Sequence, residues 1–286
     1  MVPQGATPTF IAQLERRWRR GKFLCVGLDT DLTRLPQSFA GYPSPAAAVV
    51  AYNSAIVDAT HDLVCAYKPN AAYYEALGAD YWPALSGTIT YIKAHYPDIP
   101  IILDAKRGDI GATNAGYVGA IFDLLGVDAT TVHPYFGQEA LRPFLERRDK
   151  GIIVMGSNSN AGAAEFQDQI MHRTGEPLYR YVARTVAEEW NTFGNCLVTV
   201  GATFPEKVAR VREVVGDMPL LILGVGTQGG DLAVTVRHGR DSRGWGMIIN
   251  ASRSVLYASG GDDYQDAARR AALALDQAIA AALRDG

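Results

Sequence analysis

The segment Leu103-Asp104-Ala105-Lys106-Arg107-Gly108-Asp109 places two aspartates and a lysine at a spacing of two and three, directly after the apolar run Ile99-Pro100-Ile101-Ile102. Strand side chains alternate with a period of two, so Asp104 and Lys106 share one face and Ala105 takes the other. Burying both ions is expensive unless they are paired. A structural ion pair meets that requirement with no chemistry at all. Lys68, which ends an earlier apolar run, and Asp109 extend the pair toward an alternating Lys-Asp-Lys-Asp array. Carboxylates on either side raise a lysine's pKa. Lys106 is then suited to electrostatic and proton-donor work, whereas a Schiff base needs a depressed pKa. Asp109 falls beyond the strand, in a tight turn at Gly108. Its side chain need not join Asp104 and Lys106 in its own chain and can reach a neighbouring subunit.

A second group of residues suits an anion. Gly224-Val225-Gly226-Thr227-Gln228-Gly229-Gly230 follows one apolar run, and Asn250-Ala251-Ser252-Arg253 ends the next. Glycines let backbone approach a ligand closely, and a guanidinium grips phosphate through two parallel hydrogen bonds. Most Gly-rich turns are merely tight. Arg253 on the adjacent strand is what makes this one a phosphate candidate, because barrels commonly bind phosphate with the loops after strands seven and eight.

These residues must be carried by something, and the chain supplies eight short apolar runs separated by segments of helical period. The runs are Phe23–Asp29, Leu63–Lys68, Ile99–Lys106, Ala129–His133, Gly151–Ser157, Cys196–Ala202, Pro219–Gly226 and Gly246–Ser252. Near-continuous hydrophobicity within them means both faces are covered, and strand-helix alternation means a parallel sheet. The expected fold is an α/β, (β/α)8 TIM barrel forming a single domain over residues 1–286. Helices are expected over Pro45–His61, Asp80–Tyr96, Ala112–Leu125, Gln138–Arg148, Pro177–Phe193, Pro205–Val215, Leu232–His238 and Asp263–Leu283. One more, Thr9–Arg19, closes the barrel floor. Polar residues gather at the C-terminal ends of most strands: Asp29, Lys68, Asp104, Lys106, His133, Ser157, Asn250 and Ser252. That is the face where barrel enzymes carry their chemistry. His133 reads equally well as a satisfied strand-end histidine.

Composition agrees. Of 286 residues, 48% are hydrophobic and 20% charged, with 27 basic against 30 acidic side chains, which excludes a disordered or collagen-like chain. A net charge of −3 offers no excess of cations for wrapping nucleic acid. The basic run Arg16-Arg17-Trp18-Arg19-Arg20 reads as a solvated helix end. Cys25, Cys65 and Cys196 each sit inside apolar runs without zinc-ligand spacing, as core residues of a reducing compartment would. No apolar stretch is long enough to cross a membrane, so a soluble, cytoplasmic protein is expected.

The pattern Asp104-x-Lys106-x-x-Asp109-Ile110-x-x-Thr113, with Asp29 ending the first strand and Lys68 the second, resembles orotidine 5′-phosphate decarboxylase over roughly residues 20 to 257. Tyr67-Lys68-Pro69-Asn70 and the loop after Ser157-Asn158 resemble the longer bacterial subgroup. Two departures are Ser159-Asn160, where a proline-containing turn is expected, and His133-Pro134 in place of Asn-Pro. The resemblance implies that Gln228 and Arg253 bind the 5′-phosphate, that Ser157 reads the pyrimidine edge, and that Asp29 and Lys68 hold the ribose hydroxyls. It also implies a homodimer with shared sites, to which the partner subunit contributes the residues corresponding to Asp109 and Thr113. Lys106 would stabilise the carbanion at pyrimidine C6 and protonate it, with Asp104 beside the departing carboxylate and no metal or organic cofactor.

The alternative enzyme is a metal-dependent sugar-phosphate decarboxylase or lyase on a related barrel. Such a protein carries an acidic metal ligand at the end of strand two, where this chain has Lys68. A Schiff-base aldolase and a non-catalytic nucleotide-binding barrel are the remaining alternatives.

Overall fold

The computed structural model describes residues 8–225 and 231–284. Eight parallel strands occur among them: β1 (Leu24–Leu28), β2 (Val64–Pro69), β3 (Ile102–Arg107), β4 (Ala129–Val132), β5 (Gly151–Val154), β6 (Cys196–Gly201), β7 (Leu220–Leu223) and β8 (Met247–Ala251). Their lateral order, β2-β1-β8-β7-β6-β5-β4-β3, wraps the sheet into a nearly closed barrel. The ends of the series, β2 and β3, meet only through single bridges at Tyr67–Ile101 and Asn70–Asp104. That sparse seam is where Lys68 faces Asp104. Nearly every strand residue is buried, as a sheet with filled interior and helix-covered exterior requires. Cys25, Cys65 and Cys196 are unpaired and buried in this core.

Helices occupy the expected intervals, and local chemistry fixes their ends. Ser44 accepts a hydrogen bond from the Ala47 amide ahead of Pro45–Thr60, and Asp231 does the same for Val234 ahead of Leu232–Gly239. Pro205–Val215 stops at Gly216, whose φ of +55° suits a residue without Cβ. Two expected helices change pitch part-way. Gly111–Val118 continues as a wider π-type turn over Gly119–Leu124, and Leu178–Thr185 as another over Val186–Trp190. Such a turn accommodates an extra residue, here with Ile121 and Phe122 buried in the first and Val186 and Trp190 in the second. Three short α-helices were not expected. Ala71–Glu75, capped by Asn70, follows β2, Ala164–Gln167 lies between β5 and β6, and Arg253–Leu256 follows β8.

Phe10–Arg19 lies across the N-terminal ends of the strands, as expected of a floor. Gly151, which opens β5, leaves room for the Phe10 ring, since a Cβ there would collide with it. Arg17 is buried and donates to the Val64 and His61 carbonyls (2.9 and 2.8 Å for the longer bonds), so the basic run is not simply a solvated helix end. Only Arg16, Arg19 and Arg20 stay in water, while Arg17 and Trp18 pack inward. The reason is geometric. Residues one apart on a helix point about 100° apart, so a contiguous charged run cannot keep to one face.

Candidate active site

The strands bring three charged side chains together at the mouth. Asp104 on β3 accepts from Lys68 Nζ through Oδ2 at 3.0 Å and from Lys106 Nζ through Oδ1 at 2.7 Å. Lys68 is 2% exposed, whereas the Lys106 side chain is 39% exposed and faces the opening. Burial pushes the Asp104 carboxyl toward its neutral form, but the two ammoniums outweigh it and hold its pKa far below the carboxylate range. Burial likewise opposes charge on Lys68, and Asp104 with Asp29 overcomes it, raising that pKa above the ordinary lysine value. Both ions therefore stay charged at neutral pH. His133 is displaced the other way: burial and then the nearby Lys106 lower its pKa, so its imidazole is neutral there.

Local backbone geometry departs from simple alternation. Leu103 pairs with Thr130 but Arg107 with Val132, so β3 makes four steps while β4 makes two. Within this bulge Lys106 has φ +48°, the only positive value at a non-glycine among the described residues. Asp104 and Lys106 still meet, as the period of two implied. Thr131, not singled out from the sequence, joins them: its Oγ1 donates to Asp104 Oδ1 and accepts from the Lys106 amide, both at 2.9 Å. Its place beside Asp104 depends on the register between β3 and β4, which neither strand's sequence reveals.

Asp109 does not join the cluster within one chain. Its Oδ1 accepts from the Ile110 amide at 2.6 Å, and its own amide is held by Asn114 Oδ1 at 3.1 Å. Among the described residues Lys106 thus has one carboxylate partner, Asp104, rather than two. Thr113 is exposed on Gly111–Val118. The turn is tight because Gly108 packs on His133, whose carbonyl would lie 3.1 Å from a Cβ.

Other residues gather around the same mouth. Ser157 falls beyond the end of β5, which stops at Val154, yet its amide still donates to the Thr199 carbonyl at 3.0 Å, continuing the ladder. Its Oγ is buried without a hydrogen-bond partner, as are Asp29 Oδ1 and Asn250 Oδ1. These three polar atoms near strand C-termini are free to meet polar atoms of a ligand. Asp29 is set in place by Tyr257, whose Oη donates to the Asp29 carbonyl at 3.0 Å and accepts from the Asp31 amide at 2.7 Å. Arg253 is exposed at the start of Arg253–Leu256, just past β8, and makes no ion pair among the described residues. Gln228 lies outside the described residues. No cluster of three His, Cys, Asp or Glu side chains with metal-binding geometry occurs among the described residues.

The comparisons with known proteins agree with this geometry. Residues 22–271 match the model of the orotidine 5′-phosphate decarboxylase / HUMPS family. The orotidine 5′-phosphate decarboxylase of Cellvibrio japonicus is 49% identical over 272 residues, covering 95% of this chain and 98% of the relative. That of Ralstonia pickettii is 50% identical over 266 residues, covering 93% and 96%. The solved structure of Leishmania donovani OMP decarboxylase superposes with a TM-score of 0.83 at 35% identity, covering 96% of this chain and 99% of that one. With a barrel mouth built around Lys68, Asp104 and Lys106, and likeness over nearly its whole length, this chain belongs to the orotidine 5′-phosphate decarboxylase / HUMPS family.

Proposed function

We propose that the chain decarboxylates orotidine 5′-monophosphate to uridine 5′-monophosphate and CO2, a carboxy-lyase step of pyrimidine biosynthesis. The observation that carries this reading is the ammonium of Lys106, held 2.7 Å from Asp104 and facing the opening. In the reaction the bond from C6 to the carboxylate breaks, CO2 leaves, and the electron pair stays on C6, where the ring delocalises it poorly. Lys106 offsets that charge and then delivers a proton to the carbon, and its neutral amine regains a proton from solvent. Asp104 sets negative charge beside the departing carboxylate, a repulsion lost as CO2 forms. Asp29 and Lys68 hold the ribose hydroxyls, Ser157 reads the base edge, and Gln228 and Arg253 take the phosphate. Binding energy from that remote phosphate can draw the loops over the mouth and exclude water. No step calls for a metal or an organic cofactor.

The reading extends to a homodimer with shared sites. Asp109 is turned away from its own cluster and Thr113 is exposed. Large apolar side chains lie bare in the loops after β3 and β4, namely Ile110, Phe136 and Tyr135, the last 93% exposed. An apolar surface of that kind suits contact with a second copy. A single domain in the cytoplasm completes the proposal.

Turnover is checked by the fall in orotidylate absorbance on adding purified protein, with and without chelator. The expected result is equal rates. Loss of turnover with chelator would favour the metal-dependent lyase, and binding without turnover a non-catalytic barrel. For the shared site, Asp109→Ala and Lys106→Ala chains, each inactive alone, are expected on mixing to regain up to about one native site per heterodimer. Absence of any recovery would exclude sharing.

A further inference from the structure

The bulge in β3 creates a local difficulty that one side chain resolves. Between Leu103 and Arg107 the strand takes two more steps than β4, so the regular ladder is interrupted at Lys106. Thr131 Oγ1 accepts from that amide at 2.9 Å, supplying the missing rung from a side chain. The same hydroxyl donates its proton to Asp104 Oδ1 at 2.9 Å, the very oxygen that receives Lys106 Nζ. Its neighbour Thr130 behaves differently, donating to the Leu103 carbonyl and touching neither ion. Thr131 is fully buried, and a β-branched side chain has few rotamers to wander among. One hydroxyl therefore ties the backbone and the counter-ion of Lys106 to a single point, while that residue sits in the left-handed region that L side chains seldom adopt.

We propose that Thr131 is a positioning residue: its hydroxyl holds Lys106 in the left-handed conformation and aims its ammonium and the Asp104 carboxylate at the reacting carbon. This rests on the decarboxylase reading above. Thr131 makes no hydrogen bond to Asp29, Lys68 or Arg253, the described groups assigned to ribose and phosphate, which stand just past β1, on β2 and just past β8. Its loss should therefore leave substrate binding in place and affect the chemical step.

Thr131→Val keeps shape and removes the hydroxyl, whereas Thr131→Ser keeps the hydroxyl. A displacement of about 1 Å at a reacting group can reduce the rate about 100-fold. For Thr131→Val the expectation is a kcat about 10- to 100-fold lower with KM for orotidylate within about threefold of native, and for Thr131→Ser both constants within about threefold. Thermal melting of each chain is recorded alongside. If the valine chain does not fold at the assay temperature, Thr131→Cys, of similar shape and with only a weak donor, takes its place with the same expected split. Near-native kcat in the valine chain, an equal loss in the serine chain, or a defect confined to KM would each overturn the positioning role. Failure of the native chain to turn over orotidylate would instead sink the decarboxylase reading itself.

Discussion

Replacing Lys106 with alanine is expected to lower kcat for orotidylate by at least about 10⁴-fold, combining lost charge stabilisation with lost proton transfer. That is a barrier increase of about 5.5 kcal/mol. Nucleotide binding should survive, because Asp29, Ser157 and Arg253 stand on other strands and loops. The fold should survive too. The Lys106 side chain is substantially exposed, and Asp104 keeps Lys68 and Thr131 as partners. The measurement is single-turnover decarboxylation beside a uridine 5′-monophosphate titration and a melting curve. A rate within about tenfold of native would remove Lys106 from both of its assigned roles.

Asp104→Ala is expected to behave in the opposite sense, as a stability mutation as much as a catalytic one. It strands Lys68, 2% exposed, without its principal counter-charge. Breaking one side of a buried pair destabilises by about 3–5 kcal/mol, measurable by urea unfolding. Removing the second side as well, in Asp104→Ala/Lys68→Met, should recover much of that loss, since an apolar pair leaves no buried ion. The pH dependence has a definite sign. In the native chain Asp104 is depressed, so its contribution is present above the ordinary carboxylate pKa and is lost only as pH falls through the folded value. Lys68 is raised, so its contribution is present below the ordinary lysine pKa and is lost only as pH rises through the folded value. Across neutral pH the pair contributes steadily. In Asp104→Ala burial becomes the dominant influence on Lys68 and lowers its pKa. The deficit should therefore narrow as pH rises and the amine neutralises. A deficit independent of pH, or no recovery in the double variant, would show that the stranded ammonium is not its cause.

The fold was legible because it is written in a long-range repeat. Eight apolar runs alternate with eight helical segments, and no local competition disguises a pattern of that size. The pairing of Asp104 with Lys106 was legible for the same reason, as a consequence of strand period. What the period could not reveal is the bulge. A change in register between β3 and β4 depends on both strands, and only the structure shows Lys106 at φ +48° with Thr131 beneath it. Strand ends were overrun at Ser157 because a residue may keep its ladder bond after regular geometry has ceased. The wide turns at Gly119–Leu124 and Val186–Trp190 were equally hidden, since their composition reads as ordinary helix. Arg17 was misjudged with its charged neighbours because a count of charges ignores which way each one points.

The seam between β2 and β3 ties the persistence of this protein to its chemistry. Backbone contact there is sparse, and the Lys68–Asp104 pair spans the gap. A lineage that lost either residue would not keep an inert but sturdy barrel for later reuse. The damaged chain would open at that joint more often, and cellular proteases would thin it out before drift could find it another occupation.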